Sequence, residues 1–148
     1  MRKRVLVFGT FDVLHPGHVR FLTAAAKFGS VMVALTPDTL VTTYKGRPPV
    51  NSYSVREGRL RDMAVVTDVV AADNTPNTYD IIEKLRPEVL VLGYDQTGLR
   101  ATITKKLSET EISASIRMIE AYRSDVYRSS RLRALAEKTI STTSAATV

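Results

Sequence analysis

Two histidines, the only ones in a chain of 148 residues, lie three positions apart in the segment GTFDVLHPGH. His15 and His18 flank Pro16 and Gly17, directly after the hydrophobic run RVLVFG. Proline suits the first turn of a helix, since its φ is already helical and it has no amide hydrogen that needs a partner there. A glycine beside it lets an anion approach the backbone amides closely. Imidazoles at this spacing project from one side of a helix. The segment therefore predicts a site that stabilises charge developing on a transferring phosphorus.

The rest of the chain must supply a scaffold that holds this segment. Short apolar runs rich in β-branched residues alternate with amphipathic stretches, and the runs are RVLVFG, SVMVALT, DVVAA and PEVLVLG. Such runs are typical of strands buried on both faces, and helical connections between them favour a parallel sheet. We predict one α/β domain over residues 1–138, with a Rossmann-like, doubly wound parallel sheet of about five strands. The small, polar residues 139–148 predict a flexible tail.

Composition limits the classes of function. The chain has no cysteine, which excludes disulfides, thiolate nucleophiles and cysteine-ligated metal sites. No apolar run reaches the roughly 18 residues of a membrane span, and MRKRVLVFG lacks the features of a signal peptide. We therefore expect a soluble, cytoplasmic protein with no membrane partner.

The formal charge of +6 fits either nucleic acid or small anionic substrates. The basic residues are scattered rather than clustered among aromatic residues, which disfavours nucleic acid as a partner. A non-catalytic protein that binds nucleotides or nucleic acid stays as an alternative from another class. A nucleic-acid-binding protein would bind polynucleotides with an affinity that falls steeply as salt is added. A protein that only binds nucleotides would show no turnover.

The segment GTFDVLHPGH resembles the G-T-F-D-x-x-H-x-G-H signature of the cytidylyltransferase-like nucleotidyltransferases. Within that superfamily, GYDQ at residues 93–96 is more similar to the G-P-D-Q of archaeal-type FAD synthetases than to the G-D-D-W of glycerol-3-phosphate cytidylyltransferases. The resemblance implies the activity FMN + ATP to FAD + pyrophosphate. The alternative is a CTP-dependent cytidylyltransferase acting on glycerol 3-phosphate or another polyol phosphate.

The resemblance also implies roles for individual residues. His15, His18, Lys45 and Arg123 would be catalytic, with Lys45 reaching the phosphates from a mobile loop after the second strand. Asp12 and Arg56 would bind the acceptor. The nucleotide-binding residues would be Gly9, Thr10, Phe11, Pro16, Gly17, Gly93, Asp95, Tyr122, Ser129 and Ser130.

The segment AYRSDVYRSSRLRALAEK occupies the place of the cytidylyltransferase motif R-T-x-G-I-S-T-T. Arg123 matches the arginine of that motif, and Ser129 and Ser130 match its last two threonines. Val126 and Arg128 replace its glycine and its first serine, which disfavours the cytidylyltransferase alternative.

An acceptor phosphate with a second pKa of about 6 is mostly dianionic at neutral pH, so the reaction needs no general base. Mg²⁺ would arrive with the triphosphate, and no dedicated metal site in the protein is expected. The partners would be a nucleotide and a phosphate-monoester acceptor, and the resemblance implies a homodimer.

Overall fold

The strands and helices of this protein alternate along the chain, as the apolar runs predict. The structure, a computed structural model, describes residues 2–94 and 96–119. The elements are β1 Arg4–Gly9, α1 Pro16–Ala25, β2 Ser30–Leu35, α2 Asp38–Lys45, α3 Tyr53–Arg61, β3 Val66–Ala71, α4 Asp80–Leu85, β4 Val89–Gly93, α5 Thr97–Ser108 and β5 Ser115–Ile119.

The five strands form one parallel sheet in the order β3-β2-β1-β4-β5. From the central strand β1, the chain builds outward through β2 and β3 on one side and then through β4 and β5 on the other. The prediction of a five-stranded, doubly wound α/β fold is confirmed. The order of the strands reverses between β1 and β4, and ligands of such sheets bind at the carboxyl ends of the strands beside this point.

Each face of the sheet packs against its own hydrophobic core. Alternate residues of β1 serve the two cores, since successive side chains of a strand point to opposite faces. Val5 and Val7 join Phe21 and Leu22 of α1 and Leu60 of α3 in one core. Leu6 and Phe8 join residues of α4, β4 and α5 in the other, among them Ile82, Leu92 and Ile103.

Helix α2 lies where the sequence predicted a mobile loop around Lys45. Leu40 and Val41 bury one side of this helix, and the hydroxyls of Thr42 and Thr43 donate to carbonyls one turn earlier. Gly46 ends the helix with a left-handed φ of 75°, a conformation that glycine adopts without steric cost. Lys45 is therefore the last residue of α2, and the prediction that it lies in a loop is wrong.

The tail predicted at residues 139–148 lies outside the described residues. Within the described ranges, none of the helices has the length and apolar character needed to cross a membrane.

Candidate active site

His15 caps the amino terminus of α1 with its own ring. Its Nδ1 accepts hydrogen bonds from the backbone amides of Gly17 at 3.0 Å and His18 at 3.4 Å. Pro16 fills the first helical position, where its missing amide leaves no donor without a partner. Histidine here takes the place of the usual serine or aspartate cap.

The two motif histidines lie against each other, which confirms that they share one side of the helix. The rings of His15 and His18 stack with their centroids 3.7 Å apart and their planes 25° from parallel. His18 is fully buried, and the edge of its ring meets the Phe11 ring at a centroid distance of 5.2 Å.

The cap also determines the protonation state of His15. Because Nδ1 accepts two amide hydrogens, the neutral ring carries its proton on Nε2. Burial lowers the pKa of His15 below its usual value of 6.5, since desolvation disfavours the charged ring. At neutral pH, His15 therefore presents an uncharged ring whose Nε2–H can donate a hydrogen bond.

Gly9 at the end of β1 makes room for the Phe11 ring. A β-carbon at Gly9 would lie 2.5 Å from a ring carbon of Phe11, which is closer than packed atoms allow. Phe11 itself has a left-handed φ of 47°, uncommon for a bulky residue, and is 1% exposed. The turn after β1 thus places Phe11 beneath the histidine pair, and Gly9 is the residue that permits this placement.

Asp12 clamps the segment that precedes α3. Its two carboxylate oxygens accept the backbone amides of Val50 and Asn51, both at 2.8 Å, and its carbonyl accepts the Asn51 side-chain amide at 2.5 Å. The side chain is fully buried. Asp12 therefore joins the turn after β1 to residues 50 and 51, and its predicted contact with the acceptor stays a prediction.

Arg56 is buried and hydrogen-bonds to the backbone of the turn after β1. Its guanidinium donates to the carbonyls of Thr10 and Thr36, each at 2.9 Å, and to that of Asn51 at 3.0 Å. It also forms an ion pair with Asp38, with Nη2 and Oδ1 2.6 Å apart. The side chain is 0% exposed. Arg56 thus ties the carboxyl ends of β1 and β2 to the starts of α2 and α3, and its predicted acceptor role stays a prediction.

A cavity of about 560 Å³ lies beyond the carboxyl ends of β1 and β2. Its base is formed by Phe8, Gly9, Thr10 and Thr36. Its sides come from α2, from the segment between β3 and α4, and from the first turns of α5, with the lining residues Leu40, Tyr44, Ala72, Asp73, Thr75, Asn77, Tyr79, Gln96, Gly98, Leu99 and Thr102. Gly9 and Thr10 thus belong both to the motif and to the cavity.

Gln96 connects the two strands that flank the reversal of strand order. Its Oε1 accepts the backbone amide of Gly93 at 2.9 Å, and its Nε2 donates to the Phe8 carbonyl at 3.5 Å. Gly93 ends β4, so this side chain holds the ends of β4 and β1 together beside the cavity.

The structure brings together Gly9, Thr10, Phe11, His15, Pro16, Gly17 and His18 within one turn and one helix start. Lys45 lies at the end of α2, one residue after the cavity residue Tyr44. Asp95, Tyr122, Arg123, Ser129 and Ser130 lie outside the described residues.

Sequence reasoning missed the roles of Asp38, Gln96, Tyr44 and Tyr79. Two of these had a local signal that could have been used. Asp38 follows Pro37 directly after β2, where an acidic residue favours a helix start, and Gln96 is part of the segment GYDQ. The two tyrosines carried no such signal, because neither belongs to a recognised motif.

The chain is similar to known nucleotide-handling proteins over most of its length. It is 34% identical over 131 residues to an FAD synthase of Thermococcus sibiricus, covering 87% of this chain and 88% of that protein. It is 35% identical over 133 residues to an FAD synthase of Pyrococcus abyssi, covering 88% and 90% of the two chains.

Solved structures share the fold. A lipopolysaccharide core biosynthesis protein from Thermoplasma volcanium superposes with a TM-score of 0.74 and 25% identity, covering 82% of this chain and 99% of that one. A pantoate-beta-alanine ligase from Francisella tularensis superposes with a TM-score of 0.62 and 14% identity, and the match covers 94% of this chain and 71% of that one. At this identity the match shows the fold alone. The cytidylyltransferase-like family model matches residues 6–135. By sequence and by fold, this chain belongs to the cytidylyltransferase-like family.

Proposed function

We propose that this protein is an FMN adenylyltransferase, which makes FAD and pyrophosphate from FMN and ATP. The observation that carries the proposal is the capped, stacked histidine pair at the start of α1, which follows in the chain the cavity residues Gly9 and Thr10. The identity of 34–35% to FAD synthases over nearly 90% of the chain supports the same acceptor and the same nucleotide.

The reaction requires positioning and charge stabilisation more than proton transfer. An oxygen of the FMN phosphate attacks the α-phosphorus of ATP and forms a new P–O–P linkage. The bond between the α-phosphorus and the oxygen that bridges it to the β-phosphorus breaks, and that oxygen leaves with pyrophosphate. The phosphate dianion is already a nucleophile at neutral pH, since its second pKa is about 6. A general base is therefore not needed, and the main contribution of the protein is to stabilise negative charge.

His15 is suited to this task because its neutral ring offers Nε2–H as a donor. The positive end of the helix dipole lies beside it, while the amides of Gly17 and His18 are already bonded to its Nδ1. His18, stacked on His15, would act at the same phosphates, as would Lys45 and Arg123. Mg²⁺ would enter as part of the MgATP substrate, keeping several of its water ligands.

Nucleotide binding is assigned to the motif turn and to the end of β4, with Gly9, Thr10, Phe11, Pro16, Gly17 and Gly93, together with Asp95, Tyr122, Ser129 and Ser130. Binding of the acceptor by Asp12 and Arg56 stays a prediction, and the backbone that they hold forms part of the base of the cavity and the start of α3. A homodimer and a cytoplasmic location also stay predictions, and sedimentation of the purified protein would test the first.

Pyrophosphate release by the purified protein tests the proposed reaction. ATP and CTP are each crossed with FMN, glycerol 3-phosphate and inositol phosphate in the presence of Mg²⁺, and FAD is identified by chromatography. We expect release with ATP and FMN, and its loss in His18→Ala. Release with CTP and a polyol phosphate alone would identify a cytidylyltransferase instead, and a protein silent with every pair would contradict both enzymatic assignments.

A further inference from the structure

Three aromatic residues, Phe8, Tyr44 and Tyr79, are among the described residues that line the cavity. Phe8 and Tyr79 meet edge to face, with ring centroids 5.5 Å apart and an angle of 88° between the planes. Tyr44, on α2, is 55% exposed and lines the same cavity. Among the lining residues that the structure describes, Asp73 is the one charged residue, and its Oδ2 accepts from the Thr78 hydroxyl at 3.2 Å and the Ile81 amide at 3.3 Å.

The wall that carries Tyr79 has an unusual backbone. Asn77 and Tyr79 have left-handed φ values of 64° and 50°. Asparagine adopts this conformation readily, whereas a bulky aromatic residue does so rarely and at a cost in energy. Backbone of this kind persists where surrounding structure holds it, and it concentrates at ligand sites.

We propose that this cavity holds the isoalloxazine ring of FMN, with Tyr44 and Tyr79 as its aromatic walls, an inference that rests on the proposed acceptor. The ring is flat, apolar on both faces and polar along one edge. Aromatic side chains bind such faces, and the hydroxyl, amide and carboxylate groups of Thr75, Asn77 and Asp73 line the same space for the polar edge.

Size and charge favour a flavin ring over the alternative acceptors. A volume of about 560 Å³ lies within the usual range for sites that bury a whole organic ligand. A polyol phosphate would leave much of this aromatic space unfilled. A phosphate group would find no lysine or arginine among the lining residues within 2–94 and 96–119. The phosphates therefore belong at the α1 terminus, which the cavity adjoins through Gly9 and Thr10.

The hydroxyl of Tyr79 is a stable donor in this wall. Burial raises the pKa of Tyr79 to about 12, with smaller contributions from Tyr44 and Asp73. The phenol consequently stays protonated at cellular pH and can donate to a carbonyl oxygen of the ring.

A larger side chain at position 98 can fill part of the cavity without displacing the residues around it. Gly98 lies in the first turn of α5 and lines the cavity, and a β-carbon there would meet no atom within 4 Å. Gly58 in α3 offers a matched control, since it is also helical with open space around it and does not line the cavity. Phe28, 38% exposed and likewise outside the cavity lining, is the aromatic control for Tyr44.

The test measures FMN binding directly, by flavin fluorescence, in the presence of Mg²⁺ and α,β-methylene-ATP, which the enzyme cannot cleave at the α-phosphorus. Wild type, Gly98→Leu, Gly58→Leu, Tyr44→Ala and Phe28→Ala are compared, and thermal melting verifies that each is folded. FAD formation from FMN and ATP by the wild type is measured in parallel.

We expect Gly98→Leu to raise the Kd for FMN more than about tenfold, since a leucine would occupy space that the ring needs. Tyr44→Ala should raise it about threefold to tenfold, the range expected for loss of one aromatic contact. The two controls should bind FMN as the wild type does, and affinity for the ATP analogue should change less than twofold in all variants.

Each other outcome separates this site from the proposed reaction. If the wild type makes FAD while Gly98→Leu and Tyr44→Ala both bind FMN normally, the ring lies elsewhere and only the reaction stands. If FMN binding depends on Gly98 but no FAD forms, the site stands and the reaction falls. If Gly98→Leu weakens the ATP analogue and spares FMN, the cavity holds the nucleotide base and the inference is overturned. A wild type that binds no FMN overturns both.

Discussion

Replacing His15 with asparagine separates two roles that one imidazole combines. In the structure, Nδ1 caps α1 by accepting two backbone amides, so the neutral ring carries on Nε2 the proton that we propose is donated to a phosphate oxygen. Asparagine is among the best helix caps, because its side-chain oxygen accepts the same amides. It has nothing at the position of Nε2. His15→Asn should therefore keep the helix start while removing the donor, and His15→Ala should remove both.

The expected magnitudes differ for the two properties. Loss of a cap costs about 1 kcal/mol of unfolding free energy, so His15→Ala should lower Tm by about 3 °C in a domain of this size. His15→Asn should melt within about 1 °C of the wild type, since the cap is retained. Removing one donor from a developing oxyanion typically costs a factor of about 10² to 10³ in kcat. Both variants should lose that factor.

Calorimetric melting and steady-state FAD formation with saturating ATP and FMN supply the two measurements. If His15→Asn keeps kcat within about threefold of the wild type, a rate loss of the size expected for a missing donor is absent and the charge-stabilising role of Nε2 is refuted. If His15→Asn melts as low as His15→Ala, the capping role is refuted, whatever the kinetics show.

Three further changes test other parts of the site. Arg56→Ala strands one buried and two part-buried carbonyls and the Asp38 carboxylate, and it should lower the free energy of unfolding in urea by at least about 3 kcal/mol. Arg59→Ala on the exposed side of α3 should change it by less than about 0.5 kcal/mol. Gly9→Ala forces the Phe11 ring aside, so it should lower the free energy of unfolding by about 1–3 kcal/mol and abolish most FAD formation. Gly58→Ala should leave the free energy of unfolding unchanged or raise it by up to about 1 kcal/mol. Because the folded pKa of His15 lies below its unfolded value, the unfolded chain takes up a proton first as the pH falls. The stability that neutral His15 contributes is therefore complete above pH 6.5 and is lost progressively below it, and unfolding in urea between pH 7.5 and 5 should show a loss that is smaller in His15→Asn.

The parts of the fold and site that the sequence predicted are those encoded by neighbouring residues. Strands β1 to β4 follow from short apolar runs, and the histidine pair follows from its spacing after β1. The parallel sheet then follows from the alternation of strands and helices. In each case the residues that form the feature lie within a few positions of one another, so a local pattern is sufficient.

The parts that were missed depend on residues far apart in the chain. Arg56 bonds to Thr10, Thr36, Asn51 and Asp38, and three of these partners lie 18 to 46 positions away, so no local pattern predicted these contacts. The cavity likewise needs α2, the segment before α4 and α5 in one place. No local sequence pattern predicts that these elements lie together, because their positions depend on how the helices pack across the sheet.

Helix α2 was missed for a different reason. Its sequence DTLVTTYK contains three threonines and a valine, residues with low helix propensity. Burial of Leu40 and Val41 and the left-handed Gly46 stabilise the helix nevertheless. Here tertiary packing overrides local preference, and the local signals for the ends of the helix were Pro37 and Asp38 at its start and Gly46 after it.

The central position of β1 has a consequence for how the chain folds as it is synthesised. Its partner on one side, β2, follows within a few dozen residues, but its partner on the other side begins only at Val89, which pairs with Val5. Until β4 leaves the ribosome, the central strand β1, whose residues after Arg4 are all buried in the folded protein, presents an unpaired edge. Open edges of this kind template association with other chains. The interval between the synthesis of β2 and that of β4 is therefore when the nascent protein is most exposed to aggregation, and a chain truncated before β4 would keep that edge permanently.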